Sequence, residues 1–261
     1  TWHGVTCEGG SIRTLLLQGN QLTGSIPNTL EDLVDLEYLI LSDNQLGGSI
    51  PAQLGNLDDL RGLQLGNNHL SGSIPAELGS LVNLRDLDLS GNRLTGAIPL
   101  QLVNLTHLQN LYLTNNQLSG SVPVELGSLV NIKALSLGSN RLTGSIPTQL
   151  GNLSALQFLD LGHNQLTGSI PAQLGKLANL QALWLHSNQL AGSIPSQVMS
   201  IQGLQSLLLQ TNQLTGPIST NIAHLNNLQE LWLRGNGCLT AEIGELVAWL
   251  TAKDPLWNDG C

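Results

Sequence analysis

The sequence predicts an α/β solenoid. Ten 24-residue repeats would wind into a right-handed, curved superhelix, with a parallel β-sheet on the concave side and short 3-10 or α segments on the convex side. Three observations predict it. An asparagine recurs at Asn20, Asn44, Asn68, Asn92, Asn116, Asn140, Asn164, Asn188, Asn212 and Asn236, always 24 residues apart, so no repeat carries an insertion. Around each of them the pattern L-x-x-L-x-L-x-x-N returns, and a fixed period of this length marks stacked units. Composition agrees: charged residues are 10% of the chain, against about 25% in an ordinary domain. Aromatic residues are only 3%, so the core must be built from Leu and Ile.

The copy from Leu36 to Leu60 justifies each element in turn. Leu39 and Leu41 alternate with exposed neighbours, the period-2 signature of a short strand with one buried side. Asn44 turns the chain where the strand stops pairing. Its amide carries donors and an acceptor for loose backbone groups of its own and adjacent coils. Gly48 permits a positive-φ or closely approached backbone. Ile50 points inward, and Pro51, lacking an N–H, suits an outer edge and the start of a helical turn. Leu54, Leu57 and Leu60 then give one inward face on a short helical segment. With strands about 4.8 Å apart, ten coils make a sheet roughly 45 Å long.

The segment L-T-G-x-I-P, as in Leu22–Pro27, Leu94–Pro99 and Leu142–Pro147, resembles the plant-type leucine-rich repeat. That type occurs in receptor-kinase ectodomains, receptor-like proteins and polygalacturonase inhibitors, and the likeness covers essentially the whole chain. It implies extracellular recognition of peptides, cell-wall fragments or co-receptors. It identifies no particular ligand, since repeat folds host many partners. Trp2-His-Gly-Val-Thr-Cys7 resembles the family's amino-terminal cap, C-x-W-x-G-V-x-C, whose first Cys would precede Thr1 and leave Cys7 unpaired. The expected domains are a cap remnant at 1–11, a leucine-rich-repeat solenoid at 12–238 and a carboxy-terminal cap at 239–261.

In that last cap, Thr240 begins a predicted helix with Glu242 in its first turn and Ile243, Leu246, Val247 and Leu250 on one side. A Cys238–Cys261 disulfide is expected to lock it onto the last coil, which implies an oxidising compartment. Asn104-Leu-Thr106 and Asn152-Leu-Ser154 are glycosylation sequons on the solvent side. No close Cys/His spacing supports a metal site, and no cofactor is expected. No stretch approaches the roughly 20 apolar residues of a membrane span. The abrupt start inside a cap reads as a fragment of a longer, extracellular protein, monomeric in isolation. A net charge of −9 disfavours nucleic acid. The early acids Glu31, Asp32, Asp35, Asp58, Asp59 and Glu77 read as a solvated face.

The non-leucine strand positions carry the functional signal. Both Tyr, the single Phe and two of the 5 Trp fall there, while Trp2, Trp249 and Trp257 belong to the caps. The leucines fix the frame, because a slip of one residue would expose them, so these aromatics face outward. Trp184, Leu208 and Trp232 stand in register over about 10 Å. Phe158 lies diagonal to them and Tyr112 belongs to the same column. Such clusters are typical binding hot spots. Asp160, His186, Gln210, Glu230 and Arg234 would supply a polar rim suited to a peptide or protein, and the aromatics would also stack on the sugar rings of a glycan. Leu16, Tyr38 and Ile40 make a smaller patch. His163 and His186, near Asp160, read as solvated histidines before they read as a metal site or pH switch.

Other classes fit less well. The chain has no thiol–His pairing, G-x-S-x-G or phosphate loop. Asp86 and Asp88, about 7 Å apart on one strand face, have a glycosidase-like spacing on a sheet too open to exclude water, so no enzyme is expected. Thr23/Ser25, Ser71/Ser73, Ser119/Ser121, Thr143/Ser145 and Thr167/Ser169 form hydroxyl ladders of the kind that match ice. They are interrupted at Gly47, Ala97, Ala191 and Pro217. A purely structural or adhesive repeat remains as a third reading, against which the Trp and Phe concentration argues.

Overall fold

A computed structural model describes residues 4–241 and 244–261. Its contacts divide the chain into two units, Thr1–Gly120 and Ser121–Cys261. In both, a leucine-rich-repeat coil consists of a three-residue strand, a tight turn, a flank segment and a 3-10 turn.

In the amino-terminal unit the strands Ser11–Leu16, Tyr38–Ile40, Gly62–Gln64, Asp86–Asp88 and Asn110–Tyr112 pair in parallel. Their register sets Leu39 beside Leu63 and Leu63 beside Leu87. Val5–Glu8 pairs antiparallel with Ser11–Leu16, so the cap sequence closes the sheet's exposed edge. The asparagine ladder does what its chemistry predicts. Asn44 Oδ1 accepts the N–H groups of Asn20 and Leu22, both at 2.9 Å, and its Nδ2 donates to the carbonyls of Leu17, Leu41 and Ser42. The turn itself, however, is made one residue earlier. Asp43, Asn67 and Asn115 hold φ of 58°, 53° and 57°. This left-handed step frees the ladder amide to fold inward. The helical segments are 3-10, as in Ala52–Asn56, with Pro51 at its N-cap and Leu54, Leu57 and Leu60 fully buried.

In the carboxy-terminal unit the strands are Ala134–Ser136, Phe158–Asp160, Ala182–Trp184, Ser206–Leu208 and Glu230–Trp232, again parallel and in register through their central leucines. On the flank, Arg141–Ser145 pairs with Gln165–Thr167, then Ala191–Gly192 with Gln213–Leu214. Gly168, at φ 76°, makes the flank turn that a side-chain-bearing residue rarely adopts. Where the ninth repeat replaces the usual Pro by Ser219, that hydroxyl accepts the N–H of Asn221 and caps the 3-10 turn Thr220–His224.

The carboxy-terminal cap differs from expectation in detail. Thr240 lies in a short strand, Leu239–Thr240, paired with Gly216–Pro217, because the last flank segment still needs backbone partners. The helix is Gly244–Lys253. Leu246 and Leu250 are buried, but Val247 is 37% exposed, and Trp257 at 4% fills the inner position instead. Glu242 and Ile243, like Trp2, lie outside the described residues. Cys238 and Cys261 are disulfide-bonded, and Cys7 is a free, exposed thiol.

Two aspartates do the rest of the capping. In earlier coils the N–H groups of Leu209 and Thr211 donate to carbonyls of the next coil, those of Trp232 and Arg234. The last coil has no successor. Asp254 Oδ2 accepts the N–H of Leu233 at 2.6 Å and of Arg234 at 3.0 Å, and Asp259 Oδ1 accepts that of Gly235 at 2.8 Å. Among the described residues, no helix is long and apolar enough to cross a membrane.

Candidate functional site

The parallel register of the carboxy-terminal unit places Asp160, Trp184, Leu208 and Trp232 in one row across four strands, with Phe158, Ala182, Ser206 and Glu230 in the adjacent row. The core face holds the leucines, so both rows occupy the opposite face. Phe158 and Trp184 meet edge to face, with centroids 4.8 Å apart and planes at 83°. Both are half-buried, as are Leu208 and Trp232. Ala182, small and directly beside Phe158, leaves the room for that contact.

A hydrogen-bonded chain fixes the tryptophan. Trp184 Nε1–H donates to Ser206 Oγ at 2.9 Å, and the Ser206 hydroxyl donates to Glu230 Oε2 at 2.8 Å. The chain holds the indole plane and leaves Glu230 an exposed carboxylate with one oxygen engaged. Sequence reasoning missed Ser206, although its position beside Glu230 in the two-residue offset column was the available signal. At the next coil, the Arg234 guanidinium lies 4.1 Å from the Trp232 ring centre, a cation–π contact that orders both side chains.

One expected site residue is placed differently. Asp160 is not a rim group: it is 6% exposed. Its Oδ1 accepts the Gly162 N–H at 2.9 Å and its Oδ2 the Ser136 hydroxyl at 3.1 Å. The side chain lies back over Gly138, where any added side chain would overlap it. Burial raises the Asp160 pKa from its ordinary value, against the lowering effects of Gly162, Ser136 and His163. Tyr112 belongs to the amino-terminal unit. It is half-buried, and burial, then Asp86 and Asp88, pushes its phenol pKa up. Those two carboxylates have separate partners, Asn110 for Asp86 and Ser90 for Asp88. The sequon residues Asn104 and Asn152 are exposed, each at the end of a 3-10 turn.

His186 folds over Gly162, where a methyl group would strike its ring, and packs edge to face on His163 at 4.7 Å. Its Nδ1 is buried without a partner, as is Oε1 of Gln210 on the next coil. Among the described residues, no group of three His, Cys, Asp or Glu is gathered to hold a metal. Burial, then the neighbouring His163, lowers the His186 pKa. A base whose folded pKa is depressed binds fewer protons folded than unfolded, so its contribution to stability falls with pH below the ordinary value of about 6.5. Between pH 7.5 and 5.5 the wild type should therefore lose more thermal stability than His186→Gln. Parallel losses in the two proteins would remove His186 from this account.

Leucine-rich-repeat family models match residues 130–190, residues 82–124 as two copies, and residues 11–33, 35–57 and 59–81. A search of curated proteins returned no match. Among solved structures, the plant peptide hormone receptor RGFR1 in complex with RGF2 is similar at 39% identity and a TM-score of 0.84, over 87% of this chain and 36% of that one. The ectodomain of the Arabidopsis thaliana receptor kinase GASSHO1/SCHENGEN3, in complex with CASPARIAN STRIP INTEGRITY FACTOR 2, is similar at 36% identity and a TM-score of 0.76, over 90% and 34%. The chain thus spans about a third of either receptor ectodomain. A plant ice-binding protein is similar at 32% identity and a TM-score of 0.80, over 93% of this chain and 78% of that one. The repeat spacing, the asparagine ladder and these matches lead to one assignment: the chain belongs to the leucine-rich-repeat family, in its plant-type form.

Proposed function

We propose that the chain is an extracellular ligand-recognition module, not an enzyme, and that the outward sheet face of its carboxy-terminal unit binds a peptide or protein segment. The observation that carries this reading is the locked Phe158–Trp184 pair, continued in register by Leu208 and Trp232. Half-buried aromatics held in fixed rotamers lose little entropy on binding, which is the physics of a hot spot. His186, Gln210, Glu230 and Arg234 line the patch, and two receptors similar to this chain are described in complex with a peptide hormone or factor. The capping disulfide supports an oxidising location, where Asn104 and Asn152 would be open to glycosylation. We retain the division into a cap remnant at 1–11, repeats at 12–238 and a terminal cap at 239–261.

The test is binding of the wild type and a Trp184→Ala/Trp232→Ala variant to a peptide library and an oligosaccharide library, with circular dichroism to confirm folding. We expect a peptide to bind the wild type and to weaken at least about tenfold in the variant. Unchanged peptide binding, or no peptide bound by the wild type, would remove this face as the site. A second reading, ice binding, is favoured by the likeness to a plant ice-binding protein and by the flank hydroxyls. Ala191 and Pro217 break those columns in the carboxy-terminal unit, and thermal hysteresis at micromolar protein would establish it.

A further inference from the structure

Away from the aromatic face, the flank of the carboxy-terminal unit carries a groove of about 880 Å³. It runs across successive coils, beside the flank strands and over the starts of the 3-10 turns. One wall repeats Ser145, Ser169 and Ser193, one exposed hydroxyl per coil, each 24 residues from the last. The other wall repeats Gln173 and Gln197, whose stems lie against Gly151 and Gly175 of the preceding coils. A side chain at either glycine would strike backbone and Cβ of the following coil, so the glycines fix where each exposed amide begins. Pro171 and Pro195 also line the groove.

From this lining we infer that the groove binds a neutral, extended, β-linked glycan running across the coils. Three physical arguments select that ligand. The groove contains no ionisable side chain although the chain carries a net charge of −9, so a charged polymer finds no counter-charge in it. Its lining alternates hydroxyl and amide groups with proline carbons, which matches the hydroxyl rim and C–H faces of a pyranose ring. The period is the third argument. Neighbouring coils advance by about 4.8 Å, close to the length of one pyranose in an extended chain. From Ser145 to the coil of Ser219 the groove covers roughly 14 Å, room for about three rings.

The test is calorimetric titration with cellohexaose, beside maltohexaose, which is neutral but curved, and hexagalacturonate, which is charged. We expect cellohexaose to bind at millimolar concentration or below and the other two at least about tenfold more weakly. Ser169→Val/Ser193→Val should weaken cellohexaose at least about tenfold, and Gln173→Ala/Gln197→Ala gives a second, independent variant should the first misfold. Trp184→Ala/Trp232→Ala should retain cellohexaose binding within about twofold, which separates this groove from the aromatic face. Failure of cellohexaose to bind, equal binding of maltohexaose or hexagalacturonate, unaltered binding by folded groove variants, or loss in the tryptophan variant would each overturn the inference.

Discussion

Asp254→Ala should destabilise the carboxy-terminal unit by about 3 kcal/mol, because one buried and one part-buried N–H group lose their acceptor at once and each orphaned donor costs about 1–3 kcal/mol. The residue is 1% exposed, and its Oδ2 receives the N–H groups of Leu233 and Arg234. Its backbone also ends the helix, with its N–H donating to Leu250 and its carbonyl accepting from Trp257, so the lost acceptor lies at a packed corner. Stability in repeat arrays is a sum over neighbours, and a frayed last coil weakens the coil before it. Thermal denaturation and amide exchange at Leu233 and Arg234 would measure the effect. Asp254→Asn keeps one acceptor oxygen and should recover part of it. A loss under about 0.5 kcal/mol, the range of an ordinary surface substitution, would contradict the capping role.

Asn164→Ala should cost about 3–4 kcal/mol, whereas Asn20→Ala should cost less than about 1 kcal/mol. The two residues occupy the same motif position, and the sequence makes them equivalent. Asn164 is buried. Its Oδ1 accepts the Leu142 N–H at 2.9 Å, and its Nδ2 donates to the carbonyls of Leu137 and Leu161. Removing it orphans one donor and at least one acceptor in the interior. Asn20 is exposed, and its Nδ2 donates to the Gln18 carbonyl at 3.1 Å. Water can take over there. Urea unfolding of both variants would decide: equal costs would mean that the ladder contributes little beyond local turn geometry.

Much of the fold was legible because one repeat states every rule ten times. The leucine period assigned strands, turns and inward faces, and it also assigned the outward direction of Trp184 and Trp232. Pairings between side chains of different coils were less legible. Asp160 and Glu230 read alike as rim carboxylates. One is buried over Gly138 and the other stays exposed, because a glycine on the preceding coil makes room for the first. Ser206 looked like a spacer until its hydroxyl proved to join Trp184 to Glu230. Val247 was placed inward by helical period. Trp257 takes the inner position, since the chain after Lys253 folds back to cover it.

The sequence by itself determined the coil. Its period, its buried leucines, its proline-initiated 3-10 turns and its ladder asparagines are local properties, fixed by backbone sterics and by which side chains avoid water. Only the tertiary structure decided how side chains meet between coils: which carboxylate is buried, which tryptophan is held, which aspartates close the last coil, and where the flank opens into a groove. Those depend on distances of a few ångströms between residues about 24 positions apart, where hydrogen bonding and close packing act but sequence periodicity carries no information.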